Sequence, residues 1–264
     1  MNKHPKVSVV ITSYNPKKEI LNQTLESVFN QTYKNIEIIL IDDCSKIEPN
    51  KIIDRKYLNK INIFILEKNS GSPVKPRNYG AEVAKGEYVA FLDCDDYWHP
   101  EKIQYQVSVA IKNNVQFIST KMRDFKSNPQ ELIKGLKEKD DVQKITLNRV
   151  LLKYPTPTSS IFIKKTLLQN IQFDRRYPPC EDLDFVLRVH QEIRYSLKIN
   201  FPLLLYRVHP NQVSKNKLKM LKTKFNVLRN FKLNNGKRLG YVAILLIFTD
   251  IMLSVYYRLL KKEL

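Results

Sequence analysis

The chain has 264 residues, 43% hydrophobic and 27% charged, with 6 Gly and 13 Pro. This composition excludes collagen-like, low-complexity and disordered chains and gives enough length for one large domain with an appendage. Its 45 Lys and Arg against 26 Asp and Glu leave a formal charge of +19, which points to an anionic partner: nucleic acid, a phosphate-rich substrate or a membrane surface. The charge is uneven. Residues 215–264 hold twelve Lys or Arg against Asp250 and Glu263, a net of +10. That asymmetry reads as a catalytic or binding body followed by a basic tail, not as a uniformly basic nucleic-acid binder, and no nucleic acid is expected as partner. Cys44, Cys94 and Cys180 are odd in number and far apart. They give neither a disulfide framework nor a CxxC metal spacing, and they suit a reducing cytosol as small packing residues. No signal-peptide pattern precedes the first strand, so a cytoplasmic location is expected.

Residues 6–13 form a β-branched run ended by Tyr14-Asn15-Pro16, the pattern of a buried strand stopping at a turn. Ile20, Leu21, Leu25, Val28 and Phe29 then recur at helical spacing, and residues 36–41 are apolar up to Asp42-Asp43, which completes a βαβ unit. A third strand is predicted at 61–66, a helix beginning near 73–77, and a strand at 88–92 ending on Asp93. Strands alternating with helices predict an α/β fold with a largely parallel sheet and ligands at the strands' C-terminal ends. Beyond Pro100 the pattern predicts a helix at 101–112, a strand at 116–120, and a surface loop or insertion over 125–141. Further predictions are a helix at 147–152, a strand at 159–163, a helix at 181–192 and a strand around 203–206.

The densest chemistry is Asp93-Cys94-Asp95-Asp96 at a strand end. A turn or a helix cap accounts for one or two of these aspartates. Three like charges this close repel unless a cation neutralises them, and Mg²⁺ or Mn²⁺ favours carboxylate and phosphate oxygens together, so the reading is a metal site for a diphosphate. Asp42 and Asp43 end a strand on the same predicted sheet edge. A turn explains them too, but their position admits a nucleoside pocket in which an aspartate accepts from a base or ribose and Tyr14 stacks nearby.

These residues carry a resemblance. Val7 to Asn15, Gln31-Thr32-Tyr33, Ile41 to Ser45, Arg77-Asn78-Tyr79-Gly80 and Gly86 to Asp96 resemble, in order and spacing, the family-2 glycosyltransferases. Glu181-Asp182 opening a helix and Tyr206-Arg207-Val208-His209 extend the resemblance over about residues 6–214. It implies a GT-A fold, a Rossmann-like nucleotide-binding sheet fused to a smaller acceptor-binding half, and inverting transfer from a nucleotide sugar. By position it implies that Thr12, Tyr14 and Asp43 hold base and ribose, with Arg77 near the nucleotide or sugar and Asn78 beside it. Asp93, Asp95 and Asp96 match the metal and ribose motif, with Asp95 and Asp96 toward metal and diphosphate. Asp182 matches the catalytic base, with Glu181 and Asp184 as neighbouring carboxylates in the same acidic first turn. Arg207 and His209 fall where the family closes a loop over the diphosphate. Cys44 in place of Gly, and Lys75-Pro76 ahead of Arg77, depart from the family pattern.

The organisation expected is a GT-A domain over 1–214 and a helical tail over 215–264. In the tail, Leu218, Leu221, Phe225 and Leu228 lie among lysines at helical spacing, a basic amphipathic helix. Its bland reading is a helix packed back on the body with a solvated charged face. After a break at Asn234-Asn235-Gly236, residues 241–257 are mostly apolar but make only about 25 Å of helix, short of a bilayer span. Asp250, Ser254, Tyr257 and Lys261 project as one polar stripe, which favours a helix lying in the membrane interface. The expected activity is a metal-dependent (Mn²⁺ or Mg²⁺) transfer from a UDP-sugar to a saccharide or lipid-linked saccharide, by an enzyme peripheral to the inner face of the cell membrane. The acceptor side includes residues 156–160. The alternatives are a nucleotidyltransferase, a basic nucleic-acid binder or a scaffold.

Overall fold

Strict alternation along the strands decides which side of the sheet each apolar residue faces, and that alternation builds two cores. In the computed structural model, which describes residues 4–126, 128–134, 141–153, 156–209 and 216–260, the first strand β1 (Val7–Ser13) is buried throughout. Val7, Val9 and Ile11 enter one core, while Val10 enters the other. Helix α1 (Lys18–Phe29) leads to β2 (Ile36–Asp42), and two short helices, α2 (Pro49–Ile52) and α3 (Arg55–Leu58), precede β3 (Asn62–Ile65). Then follow α4 (Val74–Val83), β4 (Tyr88–Asp93), β5 (Tyr97–Trp98) and α5 (Lys102–Asn113). The second half runs β6 (Phe117–Phe125), α6 (Pro129–Lys134), β7 (Val142–Ile145), α7 (Leu147–Leu152), a 3₁₀ turn at Thr158–Ser160, β8 (Phe162–Lys164), α8 (Lys165–Asn170), α9 (Glu181–Glu192) and β9 (Ser196–Arg207). The chain ends in α10 (Lys217–Asn230) and α11 (Val242–Leu260).

All nine strands join one sheet in the order β3-β2-β1-β4-β8-β6-β9-β5, with β7 paired to β9. The first half is parallel, β1 lying between β2 and β4 with Ser13 opposite Asp42 and Thr12 opposite Asp93. This register brings the two acidic strand ends to one edge. The largely parallel expectation holds only in part in the second half: β6 and β9 pair parallel, but β8 runs antiparallel to both β4 and β6, and β5 and β7 run antiparallel to β9. Buried strands read as apolar runs in either direction, so the sequence pattern carries no sign of it.

Strand β9 is far longer than the stretch around 203–206, because Pro202 argues against a continuous central strand. The sheet accommodates it in a pairing lapse: Thr120 of β6 faces Ile199, the next paired residue Met122 faces Leu204, and Pro202 sits in the skipped stretch. Within 125–141, expected as loop, residues 129–134 form α6; residues 127 and 135–140 lie outside the described residues. Residues 159 and 160, expected as the start of a strand, belong to the 3₁₀ turn Thr158–Ser160.

Helices α10 and α11 pack against the body, with Val227, Leu228, Phe231 and Ala243 joining the core that holds α9. The Asn234-Asn235-Gly236 break is a turn with Gly236 at φ +79°. Asp250, expected on a solvent stripe, accepts from Lys224 Nζ at 2.7 Å and ties α11 to α10; Lys261 lies outside the described residues. None of the described helices is long and apolar enough to cross a membrane.

Helix α4 lies directly on β1 because Gly80 has no side chain: a Cβ there would strike Val10 Cγ1, itself fully buried. Gly80→Ala is expected to destabilise the protein by about 1–3 kcal/mol through overpacking, read as a lowered urea midpoint at unchanged m-value.

Candidate active site

The β1 and β2 ends form one wall. Asn15, at φ 45°, exchanges hydrogen bonds with the opposite turn: its backbone N donates to Ser45 Oγ (2.7 Å) and its Oδ1 accepts from Lys46 N (2.8 Å). Asp42 is consumed by the turn, accepting from Ser45 N and Oγ. Cys44 takes φ 61°, the left-handed conformation for which glycine is the usual residue. Asp43 is buried and accepts from Ser70 N (2.9 Å), Ser70 Oγ (3.0 Å) and Asn69 Nδ2 (3.1 Å). Asn69 and Ser70 were not singled out from sequence, although Asn-Ser-Gly-Ser after β3 is a turn cluster of the kind that lines such an edge. Tyr14 stands 52% exposed over this wall, a ring with a free face. Thr12 Oγ1 donates to Asp93 Oδ1 at 3.2 Å, which links the wall to the acidic loop.

The three aspartates of that loop face three different surroundings. Asp93 is gripped by Arg77, whose Nη2 donates to both its oxygens at 2.9 and 3.2 Å. Asp95 lies at the surface with its Oδ2 3.1 Å from His209 Nε2. Asp96 is 1% exposed, and its Oδ1 accepts from the Arg207 backbone at 3.1 Å. Burial first, then the neighbouring aspartates, push the Asp96 carboxyl well above the usual range; burial and Asp93 raise Asp95, against His209. Arg207 braces the loop from below: Nε donates to Asp95 O (2.8 Å), Nη2 to Gln23 Oε1 (2.7 Å), and its guanidinium packs over Phe125. It is buried rather than open to a diphosphate, and burial lowers its pKa against the pull of Asp95 and Asp96. Gln23 had no signal in the sequence; only the end of β9 brings Arg207 to it.

Residues 156–160 back the same loop. Asp93 N donates to Ser159 Oγ at 3.1 Å, and Trp98 Nε1 donates to Ser159 O at 2.8 Å. Beneath Trp98 lies Lys102, wholly buried, with Nζ 3.8 Å from the indole centroid and donating to Gln106 Oε1 at 2.8 Å. Burial holds its ammonium pKa well below the ordinary value of 10.5.

Arg77 connects this loop to α9. It is 5% exposed, stacks on Phe173, and sets Nη1 3.8 Å from Glu181 Oε1. Burial alone would lower its pKa, but Asp93, then Glu181 and Asp182, hold it above its ordinary value. Lys75 and Pro76 sit in the first turn of α4, where a missing N–H costs no helical hydrogen bond. Asn78 is a positioning residue: its amide pairs with the backbone of Phe173 in both directions at 2.9 Å. In α9, Asp184 is locked to Arg188 at 2.8 Å and buried, and Glu181 is buried against Arg77. Asp182 is the partly exposed carboxylate of that turn, with Oδ1 accepting from Leu183 N at 2.8 Å. Burial raises the Cys94 thiol and pushes Cys180 up to about 12, which makes both packing groups rather than nucleophiles.

A divalent cation fits part of this set. Two ligands at right angles on a Mg²⁺ or Mn²⁺ ion lie about 3 Å apart, the spacing of Asp95 Oδ2 and His209 Nε2. Among the described residues no three His, Cys, Asp or Glu side chains group as a complete metal site. Two protein donors are the share that such an ion takes when substrate phosphates fill the remainder. Asp96, expected beside Asp95 as ligand, uses its Oδ1 to secure the strand end at Arg207, while its buried Oδ2 has no hydrogen-bond partner among the described residues.

Acidic strand ends on one edge of a sheet that is parallel in its first half and mixed in its second are the arrangement of the GT-A fold. Solved structures share the fold. Staphylococcus aureus TarS 1–349 in complex with UDP superposes with TM-score 0.64 at 24% identity, covering 84% of this chain and 64% of that one. The mannosyltransferase PcManGT from Pyrobaculum calidifontis, in complex with GDP-Man and Mn2+, does so with TM-score 0.67 at 14% identity over 94% of this chain and 73% of that one. This chain thus spans just under two thirds of the TarS chain. The model of Glycosyl transferase family 2 matches residues 8–171, and the chain belongs to that family. A relative from Escherichia coli, UDP-Glc:alpha-D-GlcNAc-diphosphoundecaprenol beta-1,3-glucosyltransferase WfaP, is 33% identical over 250 residues, 90% of this chain and 92% of WfaP. Family membership sets aside the nucleotidyltransferase and nucleic-acid readings.

Lys102 generates a pH test. The unfolded chain keeps that proton up to 10.5, whereas the fold releases it well below. Between those values the unfolded state binds more protons, so this group makes stability rise with pH and fall on acidification. Lys102→Met is expected to melt higher than wild type at pH 7, with the gap closing as pH approaches 10.5 in a thermal-denaturation series.

Proposed function

We propose that this protein moves a sugar from a nucleotide sugar, a UDP-sugar, to a hydroxyl of a saccharide or lipid-linked saccharide in envelope polysaccharide synthesis. The transfer is a single in-line displacement that inverts the anomeric carbon. The observation that carries the reading is the Arg77 bridge, because it fixes the donor-side Asp93 and the α9 turn holding Asp182 as one unit. The names of WfaP, with UDP-Glc and a diphosphoundecaprenol acceptor, and of TarS, with UDP, support donor and acceptor classes.

In this reading Tyr14 stacks on the base, Asp43 accepts from it, and Thr12 and Asp93 face the ribose. Asp95 and His209 hold a Mn²⁺ or Mg²⁺ ion, which when bound supplies positive charge to the leaving diphosphate. Arg207 acts through the loop it braces. Asp182, the partly exposed carboxylate of the α9 first turn, takes the proton of the attacking hydroxyl, while Asp184 is tied to Arg188 and Glu181 to Arg77.

The tail, residues 215–264, holds the enzyme at the inner face of the membrane. On α11, Ile244, Leu245, Phe248, Met252 and Tyr256 are each more than half exposed. Helix α10, which carries four lysines, packs on α11 through Lys224 and Asp250, and a basic helix joined to an exposed apolar one suits an anionic lipid interface.

Nucleoside diphosphate release from a panel of nucleotide sugars, with membrane extract as acceptor and with or without Mn²⁺, tests the donor and the metal. Asp182→Asn is expected to lower kcat about 10²- to 10⁴-fold at unchanged donor KM; normal turnover by a folded variant removes Asp182 as base. In liposome flotation the full chain is expected to rise with anionic vesicles and Leu245→Glu/Phe248→Glu to stay at the bottom. Equal flotation of the two proteins excludes α11 as the anchor.

A further inference from the structure

Lys102 opens α5 with its side chain fully enclosed, and among the described residues no carboxylate pairs with it. An ammonium buried without a counter-charge opposes folding. Sequences break such rules mainly at functional sites, so the question is what this lysine holds in place.

Its Nζ has two neighbours. It donates to Gln106 Oε1 at 2.8 Å and lies 3.8 Å from the centroid of the Trp98 ring. Both neighbours are themselves fully buried, and both reach the same turn. Gln106 Nε2 donates to Ser160 O at 2.9 Å, and Trp98 Nε1 donates to Ser159 O at 2.8 Å. Two consecutive carbonyls of the 3₁₀ turn Thr158–Ser160 are thus held by two side chains that meet at one ammonium. The polarity of the chain matters. A glutamine amide has one accepting and one donating end, and a lysine can only donate, so Lys102 on Oε1 turns Nε2 toward Ser160. The same cation on the indole face holds the ring plane in which Nε1 points at Ser159.

The turn carries this order to the reacting edge. Ser159 Oγ accepts from Asp93 N at 3.1 Å, and Asp93 is the carboxylate that Arg77 and Thr12 share. An unbroken series of contacts therefore runs from the buried ammonium to the end of β4.

We propose that Lys102 is a positioning residue for the transfer: through Gln106 and Trp98 it fixes the Thr158–Ser160 turn, and the turn sets Asp93 where it meets the donor. The link to donor binding rests on the glycosyltransferase reading; the placement of Asp93 stands on the contacts alone.

Two variants of the full chain test it. Lys102→Met matches the stem of the lysine and removes its donors. Gln106→Glu keeps the lysine with a partner but sets an acceptor-only group against Ser160 O. Native-state hydrogen exchange reads the Asp93 N–H directly. In both variants it is expected to exchange about tenfold faster or more, while the β1 amides stay as protected as in wild type. Unchanged protection of Asp93 in either folded variant overturns the proposal. Equal loss of protection along β1 and at Asp93 marks a merely structural role and overturns it too. Calorimetric titration of UDP with Mg²⁺, and donor kinetics, read the consequence: UDP is expected to bind about tenfold more weakly, with donor KM raised to match and acceptor KM unchanged. Wild-type UDP affinity in a variant whose Asp93 amide has loosened overturns the donor link. Failure of the wild type to bind UDP counts against the glycosyltransferase reading and leaves the exchange measurement to decide the role of Lys102.

Discussion

A guanidinium buried between two carboxylates holds the two halves of this enzyme in register. Arg77 is almost fully enclosed, and its charge survives there because Asp93 and Glu181 flank it and Phe173 covers its face. Removing a charge from water is costly, so such a group persists only where its partners are fixed, and fixed partners are what a two-substrate site requires. Next along the same helix, Asn78 clips the Phe173 backbone, and one turn on, Gly80 lets α4 settle on β1. One short helix thus anchors the strand end of the first half to the helix start of the second.

The acidic loop depends on the second half in the same way. Arg207 and Ser159, each distant in sequence, hold the backbone of Asp95 and Asp93, and Trp98 and Lys102 fill the space below. Asp96 and Lys102 are both buried, and burial pushes each toward its neutral form. These groups oppose stability where they lie, and the two apolar cores on either face of the sheet offset them. The exposed Tyr14 and the partly exposed Asp95, Asp182 and His209 are the members of the constellation that reach solvent.

The excess of positive charge is concentrated in the tail, and counting charge along the chain finds it because it is contiguous. What the count misses is how the tail is joined: Lys224 of α10 pairs with Asp250 of α11, and Val227, Leu228 and Ala243 enter the core of the body.

The motifs of the nucleotide half were legible in the sequence because chemistry and local structure coincide there: an apolar strand followed at once by polar residues marks both the sheet edge and the site. Helices α5 and α9 were legible within a residue or two for the related reason that their apolar periodicity is long enough to read. Elements of two to six residues, such as β5, β7 and α8, fall below that length. What only the tertiary structure decided is orientation and partnership: the antiparallel course of β8, the fate of Pro202 in a pairing lapse, and the burial of Asp96 beside a partly exposed Asp95. The same is true of Arg207 serving as a brace, and of the partial exposure of Asp182 between the buried Glu181 and Asp184. Residue types and spacing determine which chemistry the chain carries, because those are local. Which carboxylate meets water, which meets an arginine and which is sealed in the core depends on contacts between residues a hundred or more positions apart, and no local pattern encodes them.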